Sequence, residues 1–201
     1  MTEQAHKQPF WETEGLPEPD SYVSLEVYQA LPEVSFHIEW HDGKVIYPNW
    51  NEAAMSPSPT SRHQILVVRL LAMLHQLDLG GDLLTAPMDL HLGGRIIQPD
   101  VFWAAEGGRC VDRDNHYDGP PDLVIEVLSP SNTENVRVTK FDIYEETGVR
   151  EYWIANPQED YLEVYTLNEG SYRRVGAFKY GETFTSPVLQ RTVPGSDIFG
   201  S

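Results

Sequence analysis

A short apolar run at residues 123–128, LVIEVL, carries one carboxylate, Glu126, at its centre. Pro-Pro-Asp precedes the run and Ser-Pro-Ser follows it. An apolar segment of this length between turn residues is typical of a strand covered on both faces. An isolated charge in such a strand costs on the order of several kcal/mol unless it is paired, protonated or bound to a cation. We therefore expect Glu126 either to pair with a neighbouring arginine or to belong to a functional site.

A helix is predicted to follow this strand. The segment SNTE at 131–134 has the order of a capping box, which marks the start of a helix. Val136, Lys140 and Tyr144 recur at a spacing of four, so the lysine is predicted to share the face that packs inward. Lys140 then either extends along that face to reach water or returns to the strand and meets Glu126.

The other elements follow from the helical and strand periodicities and from turn residues. They are a helix at 24–31, a hairpin at 36–47 around an Asp-Gly turn, a buried helix at 62–78 whose residues 65–71 are apolar on nearly every side except at Arg69, one bent or two short strands at 83–92, a strand at 96–103, a polar loop at 107–119, a strand at 151–154 and a hairpin at 161–178. This succession predicts one mixed α+β domain at residues 21–201, with central strands flanked by helices and an additional C-terminal β-hairpin. Residues 1–20 hold few aliphatic side chains and are predicted to form a flexible extension.

The charge balance limits the partners of this chain. Lysine and arginine number 14 against 31 aspartates and glutamates, so the formal net charge is −17. Such a surface repels a polyanion, which excludes nucleic-acid binding by overall charge alone. Any nucleic-acid partner needs a local basic patch or metal ions that bridge to phosphate.

Composition also indicates a compartment. No apolar run reaches the roughly 18 residues of a membrane-spanning helix, and the N-terminal residues lack the pattern of a signal peptide. The single cysteine, Cys110, cannot form an internal disulfide and fits a reducing environment. We therefore expect a cytoplasmic protein.

Two acids stand in apolar settings, because Asp100 lies 26 positions before Glu126 in a predicted strand of its own. If the two strands are neighbours, the carboxylates converge on one site and suit a hard cation such as magnesium or manganese. A lysine nearby could orient or deprotonate water and offset charge on the phosphorus of a phosphate ester. Buried networks of acids and lysines also have purely structural roles, so the pattern leaves both interpretations open.

Five segments of the chain resemble, in order, the Uma-two family of endonucleases: FHIEWHDGKVI, SPSPTSRHQILVVRLLAML, IQPDVFWA, PDLVIEVLSPSN and K...Y...GVREYWIANP. The resemblance covers about residues 25–180 and is most specific at PDLVIEVLSPS and GVREYWIANP. It implies the restriction-endonuclease-like fold of the PD-(D/E)xK nuclease superfamily, in which a mixed sheet lies between helices.

The resemblance also implies a set of site residues. The Pro-Asp of the superfamily motif falls on Asp100 and the acid of its second element falls on Glu126. Leu128 stands where that motif has its lysine. The Uma-two family carries the lysine on the following helix, and Lys140 is the matching residue.

Three further residues match family positions. Glu39 precedes the Asp-Gly turn, and His63 lies in the first turn of the predicted helix at 62–78. From its pattern alone, His63 is either a hydrogen-bonded core residue or a catalytic one. Asp122, in a second Pro-Asp pair, either belongs to the site or is a turn residue.

The implied function is a magnesium-dependent or manganese-dependent endonuclease that hydrolyses phosphodiester bonds of DNA. Asp100, Glu126 and the backbone carbonyl of Val127 would hold the metal, Lys140 would activate or position water, and Glu39 or His63 would assist. A homodimer is expected because double-strand cutting needs two sites. The sequence leaves open a catalytically silent or regulatory interaction module, and a hydrolase of other phosphate esters.

Overall fold

The computed structural model describes residues 10–34, 36–48, 60–129 and 132–199. Its helices are α1 (Phe10–Glu14), α2 (Leu25–Gln29), α3 (Ser61–Gln76), α4 (Phe141–Thr147) and α5 (Gly195–Phe199), and a π-helical segment, Asn135–Lys140, leads directly into α4. Its strands are β1 (Glu39–His41), β2 (Lys44–Ile46), β3 (Asp82–Thr85), β4 (Leu90–Leu92), β5 (Arg95–Ile97), β6 (Val101–Ala104), β7 (Val111–Asp112), β8 (Tyr117–Asp118), β9 (Leu123–Val127), β10 (Glu151–Asn156), β11 (Tyr161–Asn168), β12 (Ser171–Lys179), β13 (Thr183–Ser186) and β14 (Arg191–Pro194). None of the helices in the described ranges is long and apolar enough to cross a membrane.

Six strands form a central sheet in the order β12-β11-β10-β9-β6-β3. β9 and β10 run parallel, with Glu126 opposite Ile154, and the other neighbouring strands are antiparallel. Every residue of β9 and β10 is buried, as expected of strands covered on both faces. The predicted mixed α+β fold is therefore confirmed, and Glu126 lies on a central strand.

Helices cover both faces of the central sheet. On one face, α3 packs Leu66 and Leu70 against a core that includes Ile125 of β9. On the other face, α4 packs Ile143 and Tyr144 against residues of β9 and β10. The side chain of Glu126 thus lies between a sheet and the layer that contains α4.

α3 begins where the sequence predicts, because the side chain of Thr60 accepts a hydrogen bond from the amide of His63 at 3.3 Å. The prediction that this helix is apolar and buried on nearly every side is wrong for two residues. Ile65 and Val68 are 52% and 62% exposed. The reason is geometric, because the sheet covers only one side of the helix.

A second six-stranded sheet has the order β2-β1-β5-β4-β8-β7. The single strand predicted at 96–103 is divided between β5 of this sheet and β6 of the central sheet. Pro99 has no amide hydrogen for a ladder, and the carboxylate of Asp100 accepts the Val127 amide of β9 at 2.7 Å. The region predicted at 83–92 forms two strands, and the polar loop at 107–119 contains the short strands β7 and β8.

A small third core ties the N-terminal part of the domain to β1 and β2. It buries Leu16, Ile38, Val45 and Tyr47. The Tyr47 hydroxyl donates to the carbonyl of Pro17 at 2.7 Å. Leu16 and Pro17, in the segment predicted as a flexible extension, therefore contact this part of the domain, whereas residues 1–9 lie outside the described residues. The division into an extension and one domain otherwise stays a prediction.

The predicted hairpin at 161–178 is present as β11 and β12. It is not an addition to the fold, because β11 pairs with β10 and extends the central sheet. A further hairpin, β13 and β14, was not predicted from the turn-rich sequence. The buried carboxylate of Glu151 fixes it to the central sheet by accepting from the Ser186 hydroxyl and the Val188 amide, each at 2.9 Å.

Candidate active site

Five predicted side chains from five different parts of the chain come together beside β9. We call them the carboxylate–lysine cluster: Glu39 of β1, His63 of α3, Asp100 between β5 and β6, Glu126 of β9 and Lys140 at the end of the π-helical segment. Each is at least 95% buried. Their contacts follow residue by residue.

Lys140 is the bridge between two carboxylates. Its Nζ lies 2.8 Å from Glu39 Oε1 and 2.9 Å from Glu126 Oε1. Glu126 is thus paired with a lysine, not with an arginine, and Lys140 does not extend to water. Burial by itself would lower the pKa of Lys140, but the charges of Glu126 and Glu39 outweigh it and raise the pKa above its ordinary value. Lys140 is therefore an ammonium in the folded protein.

The helix geometry explains how Lys140 reaches the strand. Val136, Lys140 and Tyr144 are all buried, as their spacing of four predicts. The segment that ends at Lys140 is π-helical, a rare conformation that is frequently found at functional sites. Gly148 ends α4 in the left-handed conformation at φ 86°. The Ser131 side chain of the predicted capping box lies outside the described residues.

Glu126 has two donors on one oxygen. Its Oε1 accepts from Lys140 at 2.9 Å and from the Tyr144 hydroxyl at 2.7 Å. Burial raises the pKa of Glu126 to about 7, and the charges of Asp100 and Glu39 add to burial against the opposing effect of Lys140. Burial is thus the main reason that the ionised form of Glu126 is disfavoured, and the two neighbouring acids add to it.

Asp100 lies between β9 and α3. Its Oδ2 accepts the Val127 amide at 2.7 Å and lies 3.2 Å from His63 Nε2. His63 and Asp100 are thus close, but their atoms are not aligned for a hydrogen bond. Both ring nitrogens of His63 lack a hydrogen-bond partner among the described residues. Burial would raise the pKa of Asp100, but His63 and Lys140 lower it. Conversely, burial would lower the pKa of His63, but Asp100 raises it.

The carbonyl of Val127, predicted as a metal ligand, already has a partner. It accepts from Asn132 Nδ2 at 3.0 Å, while Asn132 Oδ1 accepts the Ser129 amide at 2.6 Å. The group of Val127 that reaches the cluster is its amide, on Asp100. The role of Asn132 was missed, although its place just after the strand, in the segment SPSN, is typical of a residue that binds nearby backbone groups.

Two histidines and a backbone amide were also missed. His41 Nε2 lies 2.9 Å from Glu39 Oε2, and the Gln98 amide donates to Glu39 Oε1 at 3.0 Å. Residues two apart on a strand share a face, so the Glu39–His41 spacing was a usable signal. Burial lowers the pKa of His37, which is close enough to Asp100 and Lys140 to be affected by their charges.

Asp122, the second Pro-Asp acid, lies outside the cluster. Its carboxylate accepts from Arg150 at 2.8 Å and from the Ala105 amide at 3.1 Å. It therefore fixes the start of β9, while Asp100 contacts the end of the same strand.

The cluster fits a divalent cation in its donor chemistry and its charge. Glu39, Asp100 and Glu126 carry three negative charges when ionised, against one positive charge on Lys140. Magnesium typically uses one or two protein carboxylates and keeps several waters. Within the part of the chain that the structure describes, no three His, Cys, Asp or Glu side chains are arranged as a metal site. The donors on offer are thus the carboxylates of Asp100 and Glu126, with water or substrate to complete the coordination.

Comparison with known proteins gives a family and a fold for this chain. The Uma2 family model, described as "Putative restriction endonuclease", matches residues 25–194. Among solved structures, the chain is similar to a "putative nuclease belonging to DUF820" from Anabaena variabilis ATCC 29413, with a TM-score of 0.68, 16% identity, and 88% of this chain and 97% of that chain covered. No curated protein matches the sequence. The family match spans every element that contributes to the carboxylate–lysine cluster, and we conclude that this chain belongs to the Uma2 family, with the α+β fold of a nuclease.

Proposed function

We propose that this protein is a metal-dependent endonuclease that hydrolyses phosphodiester bonds of DNA. The observation that carries the proposal is the burial of Asp100, Glu126 and Lys140 in one cluster, with more negative than positive charge. Membership of the Uma2 family supports a nuclease in general terms. The metal and the choice of DNA as substrate are part of the proposal.

In this proposal, Asp100 and Glu126 would hold Mg²⁺ or Mn²⁺, which would supply Lewis acidity toward the phosphate and make water a better nucleophile. Lys140 keeps its proton, so it offsets negative charge on the phosphoryl group and does not act as a base. Glu39 holds the Lys140 ammonium in place at 2.8 Å.

His63 has a separate role in the proposal. It accepts a proton at a ring nitrogen, and the carboxylate of Asp100, 3.2 Å from Nε2, stabilises the imidazolium that results. We further propose a cytoplasmic homodimer, because cutting both strands of a duplex needs two such sites.

A comparison of the two Pro-Asp acids tests the proposed site. Asp100→Asn removes one carboxylate of the cluster, and we expect it to slow cleavage of a supercoiled plasmid in Mg²⁺ or Mn²⁺ by about a hundredfold or more. Asp122→Asn is the matched control, because the two acids are 5% and 6% exposed. Asp122 lies at the start of β9, roughly 16 Å along the strand from Val127, which contacts Asp100. The control variant should therefore keep most of the activity. Equal activity of the two variants would refute the assignment of Asp100.

The net charge of −17 favours a second candidate, a catalytically silent or regulatory interaction module. Thermal unfolding with and without metal separates the two. A protein whose native state binds metal gains RT ln(1 + [L]/Kd) in stability, whereas a silent module shows neither this gain nor cleavage.

A further inference from the structure

Tyr144 is a buried phenol with no role in the proposed reaction so far. Its hydroxyl donates to Glu126 Oε1 at 2.7 Å, the same oxygen that faces Lys140 at 2.9 Å. A phenol has one hydroxyl hydrogen to donate, and this contact places it on the Glu126 carboxylate.

The ring of Tyr144 is held in one orientation. It is fully buried and packs edge-on against Tyr152, with the ring centroids 5.0 Å apart. Tyr152 is itself fixed, because its hydroxyl donates to the Val136 carbonyl at 3.1 Å. The Tyr144 hydroxyl thus reaches Glu126 from a rigid support on α4.

Two donors on one oxygen restrict the carboxylate of Glu126. Lys140 alone could pair with either oxygen of a freely rotating carboxylate, since an ammonium has no fixed plane of donors. The added bond from Tyr144 selects Oε1. Within the described residues, Oε2 accepts no hydrogen bond, so it is the oxygen left for a ligand.

We propose that Tyr144 is a positioning residue that fixes the Glu126 carboxylate, holding Oε1 against Lys140 and leaving Oε2 for the metal. This inference rests on the proposed function for the identity of the ligand. The orientation itself rests on the contacts of Tyr144. Groups that orient a metal ligand in this way are commonly worth about ten to a hundredfold in metal affinity or activity.

Tyr144→Phe and Tyr152→Phe form a matched pair, because each removes one hydroxyl from a fully buried ring. Only the hydroxyl of Tyr144 contacts Glu126. We expect Tyr144→Phe to weaken Mn²⁺ binding about tenfold or more, measured as the Mn²⁺ concentration that gives half of the maximal rise in thermal midpoint. Tyr152→Phe should leave that concentration within about twofold of the wild-type value.

A double-mutant cycle in metal-free buffer tests the orientation separately. Both Tyr→Phe changes are made in the wild-type chain and in Glu126→Ala, with Glu126→Leu as the alternative background if the alanine variant does not fold. We expect the loss of thermal midpoint caused by Tyr144→Phe to shrink in the Glu126 variant, and the loss caused by Tyr152→Phe to stay the same.

The outcomes separate the two proposals. If wild-type protein shows neither a response to Mn²⁺ or Mg²⁺ nor cleavage in their presence, the metal-dependent nuclease is refuted, and the cycle still decides whether Tyr144 fixes Glu126. If wild type responds and Tyr144→Phe binds Mn²⁺ as tightly as Tyr152→Phe, the positioning role is refuted while the nuclease stands. Absence of coupling in the cycle refutes the positioning role in either case.

Discussion

Glu126 is held in the fold by a lysine, and yet its ionised form is disfavoured. Burial is the main cause, and the negative charges of Glu39 and Asp100 add to it against the one positive charge of Lys140. The two neighbouring acids differ from Glu126 because each also has a histidine beside it. Burial by itself would raise the pKa of Glu39. Its contacts with Lys140 and His41 outweigh burial and lower that pKa to about 2.

The raised pKa of Glu126 predicts how stability depends on pH. Its folded-state pKa is about 7, against an ordinary value of 4.5. A group with a raised folded-state pKa contributes stability that is full below the ordinary value and is lost as the pH rises through the folded-state value. In metal-free buffer, we therefore expect the thermal midpoint of Glu126→Gln, relative to wild type, to increase between about pH 5 and about pH 8.

Glu163→Gln is the control for this pH series. The Glu163 carboxylate is mostly buried and pairs with Arg137 at 3.1 Å. Burial opposes the change, but Arg137 lowers the pKa of Glu163, so its contribution is constant above its ordinary pKa. A midpoint difference for Glu126→Gln that stays flat across the series would contradict the raised pKa of Glu126.

The residues of the cluster were predictable to different degrees. Glu126 and Asp100 could be identified from their apolar surroundings without any family knowledge, because a buried charge is costly unless it is paired or bound to a cation. Lys140 had two possible orientations on periodicity alone, and the distance to Glu126 decides between them. Tyr144 and His41 were not recognised, since a tyrosine or histidine on a buried face most often only packs there.

At the scale of elements, the N-terminal core determines where Glu39 lies. The small core that buries Leu16, Ile38, Val45 and Tyr47 is separate from the two cores around the central sheet. Ile38 belongs to it and is the direct neighbour of Glu39 in the chain. The packing of this small core therefore holds one of the two carboxylates that fix Lys140.

We expect Ile38→Ala to loosen this unit locally. Removal of a buried isoleucine side chain costs about 2–5 kcal/mol. Amide hydrogen exchange should accelerate in residues 10–47 while the amides of β9 and β10 keep their protection, and cleavage activity should fall because Glu39 is no longer held. Val27→Ala, at a residue 50% exposed, is the control and should change stability by less than about 0.5 kcal/mol. Equal acceleration in the central strands would show that the unit does not open separately.

The errors in predicting elements have a common physical origin. Periodicity in the sequence predicts a strand but does not show which sheet the strand joins. It therefore missed the point near Asp100 where the chain passes from the second sheet to the central sheet. The same limit applies to the hairpin β11 and β12, whose alternation was clear but whose partner, β10, was not. The contact of Leu16 with the small core was not predicted, because it is the one aliphatic residue in a segment rich in proline and glutamate.

At the scale of the whole molecule, the net charge of −17 opposes approach to a polyanion. Long-range repulsion between charges of like sign weakens as salt increases, because the screening length falls to about 10 Å at 0.1 M. Attraction at local contacts weakens as well. The two effects oppose each other in this protein, whereas they would act together in a strongly basic nuclease.

We therefore expect a weak dependence of DNA affinity on salt. A protein that neutralises six or more phosphates loses about a thousandfold in affinity between 50 and 200 mM salt. For this chain with its metal present, the KM for a short duplex should rise by less than about tenfold over that range. If the KM of this chain instead rises as steeply with salt as that of a basic protein, the chain has a local basic surface for DNA in spite of its overall charge.

The Lys140 ammonium also connects two parts of the architecture. Glu39 belongs to the second sheet and Glu126 to the central sheet, so the two ion pairs of Lys140 join the sheets at a single atom. A phosphate that attracts this ammonium competes with both carboxylates. In the proposed reaction, we therefore expect substrate binding to weaken the contact between the two sheets and product release to restore it.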